Sequence, residues 1–230
     1  MNQLVHSSEV RPAGRRRSNG RETTRTNDPE RTMANILEVA TREFSEKGLA
    51  GARIDDIAEA TQTSKRMIYY YFGSKEGLYL AVLEDSYRRM RANEAALHLE
   101  DMPPEEALRR LVAYTVDHHR MDEPFIRLVM SENINRGQYL AQSPFIQALN
   151  VPAISAIAQL YERGVSEGVF RAGLDPLDIH WAISALAVFN VSNRHTFDLI
   201  FKSDSQSAEA VAHRNDLAVE LIVRFLRVAA

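Results

Sequence analysis

Apolar residues at Met33, Ile36, Leu37, Ala40 and Phe44 recur at the spacing of one helical face. The stripe predicts a first helix that opens at Asp28-Pro29, a cap followed by proline at the first helical position, and ends at Lys47-Gly48. Ile54, Ile57, Ala58 and Thr61 fall at i, i+3, i+4 and i+7, one face of a short second helix. A polar turn, Gln62-Thr63, follows, and Ser64 is set to cap a third helix from Lys65 to about Phe72, with Ile68 and Phe72 turned inward. Gly73-Ser74 breaks that helix. Ser74 caps a fourth, from Lys75 to about Leu97, whose apolar face is Tyr79, Val82, Leu83, Tyr87 and Met90. Helices as short as the second and third cannot bury a core alone, so the first must lie across them, and the unit reads as a helix-turn-helix.

Beyond Pro103 the apolar spacing stays helical and no strand pattern appears. Helices are expected near 104–120, 123–136, 145–167, 176–201 and 208–228, separated by proline, glycine and polar breaks. The expected fold is all-α: a three-helix unit over 28–75, then a larger helical unit over 76–230. The last two helices read as a hairpin. One track along it carries Ile179, Ile183, Leu186, Asn190, Asn193 and Phe197, and another Ala218, Leu221, Ile222, Phe225 and Val228. Trp181 and Phe189 read as core rather than pocket wall.

Length and composition narrow the class. A chain of 230 residues suits a small unit plus a larger one, and its lack of cysteine excludes disulfides and thiolate metal sites, as suits a reducing cytoplasm. The longest apolar run, Trp181 to Val191, includes Ser184 and Asn190 and is too short to span a bilayer. The polar N-terminus lacks the apolar segment of a secretory signal, so no membrane partner is expected. The net charge of −3 hides an asymmetry: up to residue 75 there are 13 basic and 10 acidic side chains, beyond it 15 and 21. The basic excess falls on the helix-turn-helix side. Residues 1–27 carry Arg11, Arg15, Arg16, Arg17, Arg21 and Arg25 against only Glu9 and Glu22, and are expected to be a disordered basic arm. Such an arm either reaches a DNA minor groove or phosphates, or is a solvated tail adding only nonspecific attraction.

The third helix carries chemistry suited to a DNA groove. Lys65 and Arg66 can donate to guanine edges or phosphates, Met67 can meet a thymine methyl, and Tyr69, Tyr70 and Tyr71 can donate to phosphate oxygens. Lys75 at the start of the fourth helix is a candidate phosphate clamp. On these residues alone, a solvated charged helix with inward tyrosines stays open.

The block resembles the N-terminal DNA-binding domain of the TetR family of bacterial transcriptional regulators. The matching residues are Ile36, Leu37, Ala40, Phe44, Gly48, Ile54, Ile57, Ala58, Ser64, Ile68, Tyr69, Phe72, Ser74, Lys75, Glu76 and Leu78, and the likeness covers roughly Arg31 to Leu83. Three departures stand out. Ala52 replaces the family's capping Thr, with Arg53 beside it to take over the phosphate contact. Gln62 replaces the turn glycine, and Arg66 and Met67 replace the family's usual Gly and Thr.

The resemblance implies a sequence-specific repressor of double-stranded DNA, released from an inverted-repeat operator by a small-molecule effector. It implies a homodimer through the last two helices. Ser64 would then cap the reading helix, Lys65, Arg66, Met67 and Tyr69 would face bases or groove wall, and Arg53, Tyr70 and Lys75 would hold phosphates. Tyr114 and His118 lie on the helix that the resemblance sets beside an effector pocket. Arg127, Met130 and Asn133 lie on the next, along with Glu132, and the set would suit an aromatic or carboxylated effector. Phe189, Asn190 and Asn193 join it as candidates, the asparagines having dimer register as the alternative role. No cofactor or metal is expected: His118 and His119 are adjacent and point apart, and no phosphate loop or nucleophile elbow occurs. The runner-up is a helical small-molecule binder or enzyme that leaves its DNA-binding fold unused; an activator or an effector-independent repressor is a third.

Overall fold

A computed structural model describes residues 28–228; the arm expected over 1–27 lies outside the described residues. The Asp28 side chain accepts the N–H groups of Glu30 and Arg31, and with Pro29 behind it α1 (Pro29–Gly51) begins as the sequence requires. Gly48, at φ 67°, kinks the helix where its end was expected and turns the chain into α2 (Ile54–Thr61). Ile54, Ile57, Ala58 and Thr61 are all buried. Gln62 then adopts the left-handed conformation at φ 53°, so the turn is made without glycine and carries that strain. The Ser64 hydroxyl accepts the Met67 N–H at 3.3 Å and starts α3 (Lys65–Phe72). Gly73 at φ 76° ends it, and Ser74 accepts the Gly77 N–H at 3.0 Å to open α4 (Lys75–Ala95).

The core of this unit does not stop at residue 75. Ile36, Phe44, Ile57 and Ile68 share one buried cluster with Leu78, Tyr79, Val82 and Leu83 of α4. Leu128 of α6 (Glu123–Ile134) and Ile146 of α7 (Pro144–Ser166) belong to the same cluster. Each large side chain in it contributes ~1.5–3 kcal/mol of burial. Helix α1 therefore packs on α4 and α6 as well as on α2.

The remaining helices are α5 (Pro104–Met121), α8 (Pro176–Ser192), α9 (Arg194–Phe201) and α10 (Ala208–Leu226). Helix α5 lies between α8, α10 and α7. Its Leu108, Leu111 and Val112 meet Ile157, Leu160, Ile179, Ile183, Ile222 and Leu226 in a second core. Apart from one isolated antiparallel bridge, Phe170 with Arg227, every regular element among the described residues is helical.

Two expectations for the C-terminal hairpin need correcting. The helix expected over 176–201 is two helices: α8 ends at Ser192, and α9 restarts after Asn193. Arg194, the first residue of α9, pairs through its nearly buried guanidinium with Glu123 of α6, a tertiary contact of which periodicity carries no trace. The tracks also face differently. Ile179, Ile183, Ala218 and Ile222 lie in the subunit's own core, while Trp181 and Phe189, expected inside, are 72% and 52% exposed. One helical step separates the two faces, and α8 is apolar all round, so period alone could not choose between them.

Candidate functional site

Helix α3 is held from both ends, and this fixes which side chains it offers outward. Ile68 is fully buried, and Phe72 packs on the core. Lys65, Arg66, Tyr69 and Tyr70 face solvent on the other side, and Met67 is half-buried. Met67 lines a groove with Arg31, Asn35, Gln62 and Ser64 between α3 and the start of α1. Ser64, exposed beside it, serves as the cap.

The basic groups have partners in this state. Lys65 pairs with Asp55, and Arg53 lies 3.9 Å from the same carboxylate; all are about half-exposed or more, so the pairs are weak and exchangeable. Lys75 donates to the Ala50 carbonyl at 3.4 Å, across the turn between α1 and α2. Ala52 is buried in the core and caps nothing, and the Arg53 N–H donates instead to the Glu43 carboxylate of α1 at 3.2 Å. Helix α2 therefore starts without a side-chain cap, and Glu43 ties the backbone just ahead of it to α1.

A cavity of about 360 Å³ lies below, between α4, α5, α6, α7 and α8. Phe125, Ile126, Val129, Ile146, Ile157 and Ile183 form much of its wall. Its polar side is built from α4, α5 and α8. Arg91 pairs with Glu94, and its Nε and Nη2 both donate to Asn150 Oδ1, at 2.9 and 2.7 Å. Tyr114, His118, His119 and His180 line the same side. Among the described residues, the Tyr114 hydroxyl and the Nδ1 atoms of His118 and His119 are buried without a hydrogen-bond partner. Burial, then the charges of His118 and Arg91, push the His119 imidazole down to about 4. Burial and Arg91 lower His180 as well. Burial, with Glu94 nearby, raises the Tyr114 phenol.

Of the candidate effector residues, only Tyr114 and His118 line this cavity. Arg127 points away from it: its guanidinium donates to the carbonyls of Ser45 at 2.7 Å and Glu46 at 3.4 Å, near the end of α1. Arg127 also lies 3.8 Å from Glu123, the partner of Arg194, so one chain of ionic contacts runs from α1 through α6 to α9. Met130 packs beside Phe125 and Ile126 without lining the cavity. Asn133 is exposed and donates to its own helix at Val129. Glu132 is buried and accepts the N–H groups of Tyr139 and Leu140. Phe189, Asn190 and Asn193 line a separate small hollow of about 40 Å³ with Arg194, Phe197, Ser205 and Arg214. These placements share one cause, a helix face that the sequence leaves undefined without its packing partner. Arg91, Glu94 and His180 also line the cavity and carry no local pattern that would mark them, and His119 is weighed in the sequence only as a metal ligand.

The His119 shift has a stability consequence. The folded state holds this imidazole neutral down to about pH 4, whereas the unfolded chain protonates it near 6.5. The unfolded state binds more protons between those values, so stability is present above pH 6.5 and is lost as pH falls toward 4. The expected loss is roughly 3 kcal/mol. In urea titrations the His119→Gln variant should show a flatter pH dependence over that window, and equal slopes for the two proteins would contradict the assignment.

Sequence and structure comparisons agree with this architecture. Residues 36–82 match the family described as bacterial regulatory proteins, tetR family, and residues 104–222 match the tetracyclin repressor-like C-terminal domain. The HTH-type transcriptional repressor NicS of Pseudomonas putida is 35% identical over 203 residues, covering 88% of this chain and 96% of that protein. The HTH-type transcriptional repressor SCO4008 of Streptomyces coelicolor is 33% identical, covering 60% of this chain and 69% of its own length. Among solved structures, a transcriptional regulator from Saccharomonospora viridis in complex with choline aligns with a TM-score of 0.66 at 21% identity. That alignment covers 87% of this chain and all of the other, a likeness of fold.

Proposed function

The chain belongs to the TetR family of bacterial regulatory proteins, and on that premise we propose that it is a dimeric repressor released from its operator by a small molecule in the α4–α8 cavity. The coarser part is established by the relatives: the protein is a DNA-binding transcriptional repressor with an N-terminal helix-turn-helix.

One observation carries the finer part: the cavity and the DNA-binding unit share helices. Tyr87 and Met90 of α4 line the cavity, while Leu78, Tyr79, Val82 and Leu83 of the same helix complete the core under α3. On α6, Phe125 and Ile126 line the cavity, Leu128 lies in the head's core, and Arg127 holds the α1 carbonyls. A molecule that binds better at another spacing of α4 and α6 therefore moves α1 to α3 with them. The effect is as large as its difference in affinity for the two states.

The dimer surface we assign is the exposed apolar face of α8 and α10: Trp181, Ala185 and Phe189 on one helix, Leu217, Leu221 and Phe225 on the other. A face this apolar on two adjacent helices suits a second copy of the same chain. Two heads would then meet the half-sites of an inverted repeat, with Lys65, Arg66, Met67 and Tyr69 toward bases or groove wall and Arg53, Tyr70 and Lys75 toward phosphates. Trp181→Glu should weaken the dimer by about 2 kcal/mol or more, on the order of thirtyfold in its dissociation constant. Sedimentation at graded concentrations reads this, and an unchanged dimer would remove Trp181 from the interface.

The test of the whole reading is binding of the purified protein to DNA upstream of its own coding region, titrated against salt and then against candidate compounds. Selective, salt-dependent binding that some compound reverses supports it. Selective binding that no compound reverses leaves an effector-independent repressor in its place.

A further inference from the structure

We propose that the cavity takes a small ring-bearing monocarboxylic acid together with one proton, a reading that rests on the effector-released repressor above. The argument begins with the donors of Arg91. A guanidinium offers five N–H groups. Asn150 takes two and Glu94 one, which leaves one N–H on each of Nη1 and Nη2 without a partner among the described residues. Two N–H groups on one planar fork match the two oxygens of a carboxylate.

Charge then decides the stoichiometry. The side chains of Arg91 and Glu94 are only 10% and 15% exposed and cancel one another. The groups facing His119 and His180 are Arg91, Glu94 and Tyr87 from α4 and Tyr114 and His118 from α5; α6 and α7 present only uncharged side chains to the cavity. Burial and the Arg91 charge hold His119 and His180 neutral near pH 7. An incoming anion would therefore leave an uncompensated negative charge in a largely apolar space, which is costly. It would also reverse the balance that holds these imidazoles neutral, since a nearby opposite charge favours the protonated form. Protonation of one imidazole restores neutrality. The Nδ1 atoms of His118 and His119 and the Tyr114 hydroxyl remain to meet a second polar position on the ligand.

The rest of the cavity sets the body of that acid. Phe125 stands edge-on to Tyr87 at 5.2 Å and to His119 at 6.0 Å between ring centroids, an arrangement of faces and edges that a further planar ring extends. The volume of about 360 Å³ is near the lower end for small-molecule sites and suits one substituted ring. A phosphate-bearing ligand would bring a second negative charge and need a second proton.

The experiment uses the full-length protein on its operator with two matched probe sets: benzoate, its hydroxylated forms and its aza-analogues, and the corresponding carboxamides. Release from DNA is measured for each, and binding calorimetry in buffers of different ionisation enthalpy counts protons. The expected result is release by at least one acid and not by its amide, with uptake of close to one proton. Acid affinity should fall by up to about tenfold per pH unit between the imidazole's lowered pKa in the free protein and its higher pKa in the complex, and level off above the latter. In the isosteric double variant R91Q/E94Q, which leaves the cavity's charge balance as it was, acid binding should be lost, and H119N with H180N should lose the proton uptake. An acid that binds with no proton uptake, or an amide that binds equally well, overturns the proposal while leaving the effector-released repressor standing. Silence of both probe sets overturns this proposal, while the effector-released repressor falls only if no compound of the wider screen reverses operator binding.

Discussion

Gly77→Ala is expected to dislodge the DNA-reading helix while changing no residue that faces DNA. A Cβ at Gly77 would sit 2.1 Å from the Phe72 carbonyl oxygen, a backbone atom at the last turn of α3. No side-chain rotation relieves that overlap, so α3 and α4 must move apart. Ile68 and Phe72 are the residues through which α3 rests on the core, and they would move with it. Overpacking of this kind costs ~1–3 kcal/mol of stability. Losing the register of one base contact costs a further ~1–3 kcal/mol of binding, roughly five- to 150-fold in Kd. Gly51→Ala is the control, since its Cβ would meet only Lys47 Cβ at an ordinary 3.4 Å. Urea unfolding and operator titration of both variants read the two effects, and a Gly77→Ala protein indistinguishable from wild type would sink the argument.

Arg66→Ala carries the second large effect, this time on selectivity. Arg66 is exposed on the outward face of α3, beside the Lys65–Asp55 pair. As a base contact its loss should cost ~1–3 kcal/mol at particular base pairs and relax preference there. Lys75→Ala is the informative companion. Its ammonium rests on the Ala50 carbonyl and, among the described residues, has only that contact to give up for a phosphate. That variant should weaken all DNA sequences alike and lower the salt slope by about one. Binding measured against operators altered one position at a time, at several salt concentrations, separates the two patterns. A uniform loss from Arg66→Ala would make it a phosphate contact, and an unchanged slope from Lys75→Ala would remove it from the interface.

The helix-turn-helix was legible residue by residue because its signals are local. Caps at Asp28, Ser64 and Ser74 and the breaks at Gly48 and Gly73 act within a few residues of themselves, and each is found where the chain pattern put it. Gly77 escaped notice for the opposite reason: its constraint is a carbonyl on another helix. The cavity was harder still. Tyr114 and His118, named through the family resemblance, line it, but Arg91 and Glu94 look like any surface ion pair until α7 brings Asn150 to them across 59 residues. Arg127 shows the converse. It is named with its neighbours on α6 as an effector candidate, and its guanidinium donates to backbone carbonyls 81 and 82 residues earlier. Faces of α8 could not be ranked at all, because a helix apolar all round has no periodic signal.

The core that runs from Ile36 and Phe44 through Leu83 to Leu128 and Ile146 bears on protein engineering. Sensors are readily imagined as exchangeable halves, one head grafted onto another body at the turn before α4. A cut there would separate Ile68 from Leu78 and strip the cover from Leu128 and Ile146, leaving both halves with exposed apolar surface. A workable chimera of this repressor would have to carry the facing positions of α4, α6 and α7 along with the head, or repack them. On the proposed DNA contacts the interchangeable part is a surface, the outward side of α3, and swapping operators would mean rewriting Lys65, Arg66, Met67 and Tyr69 in place.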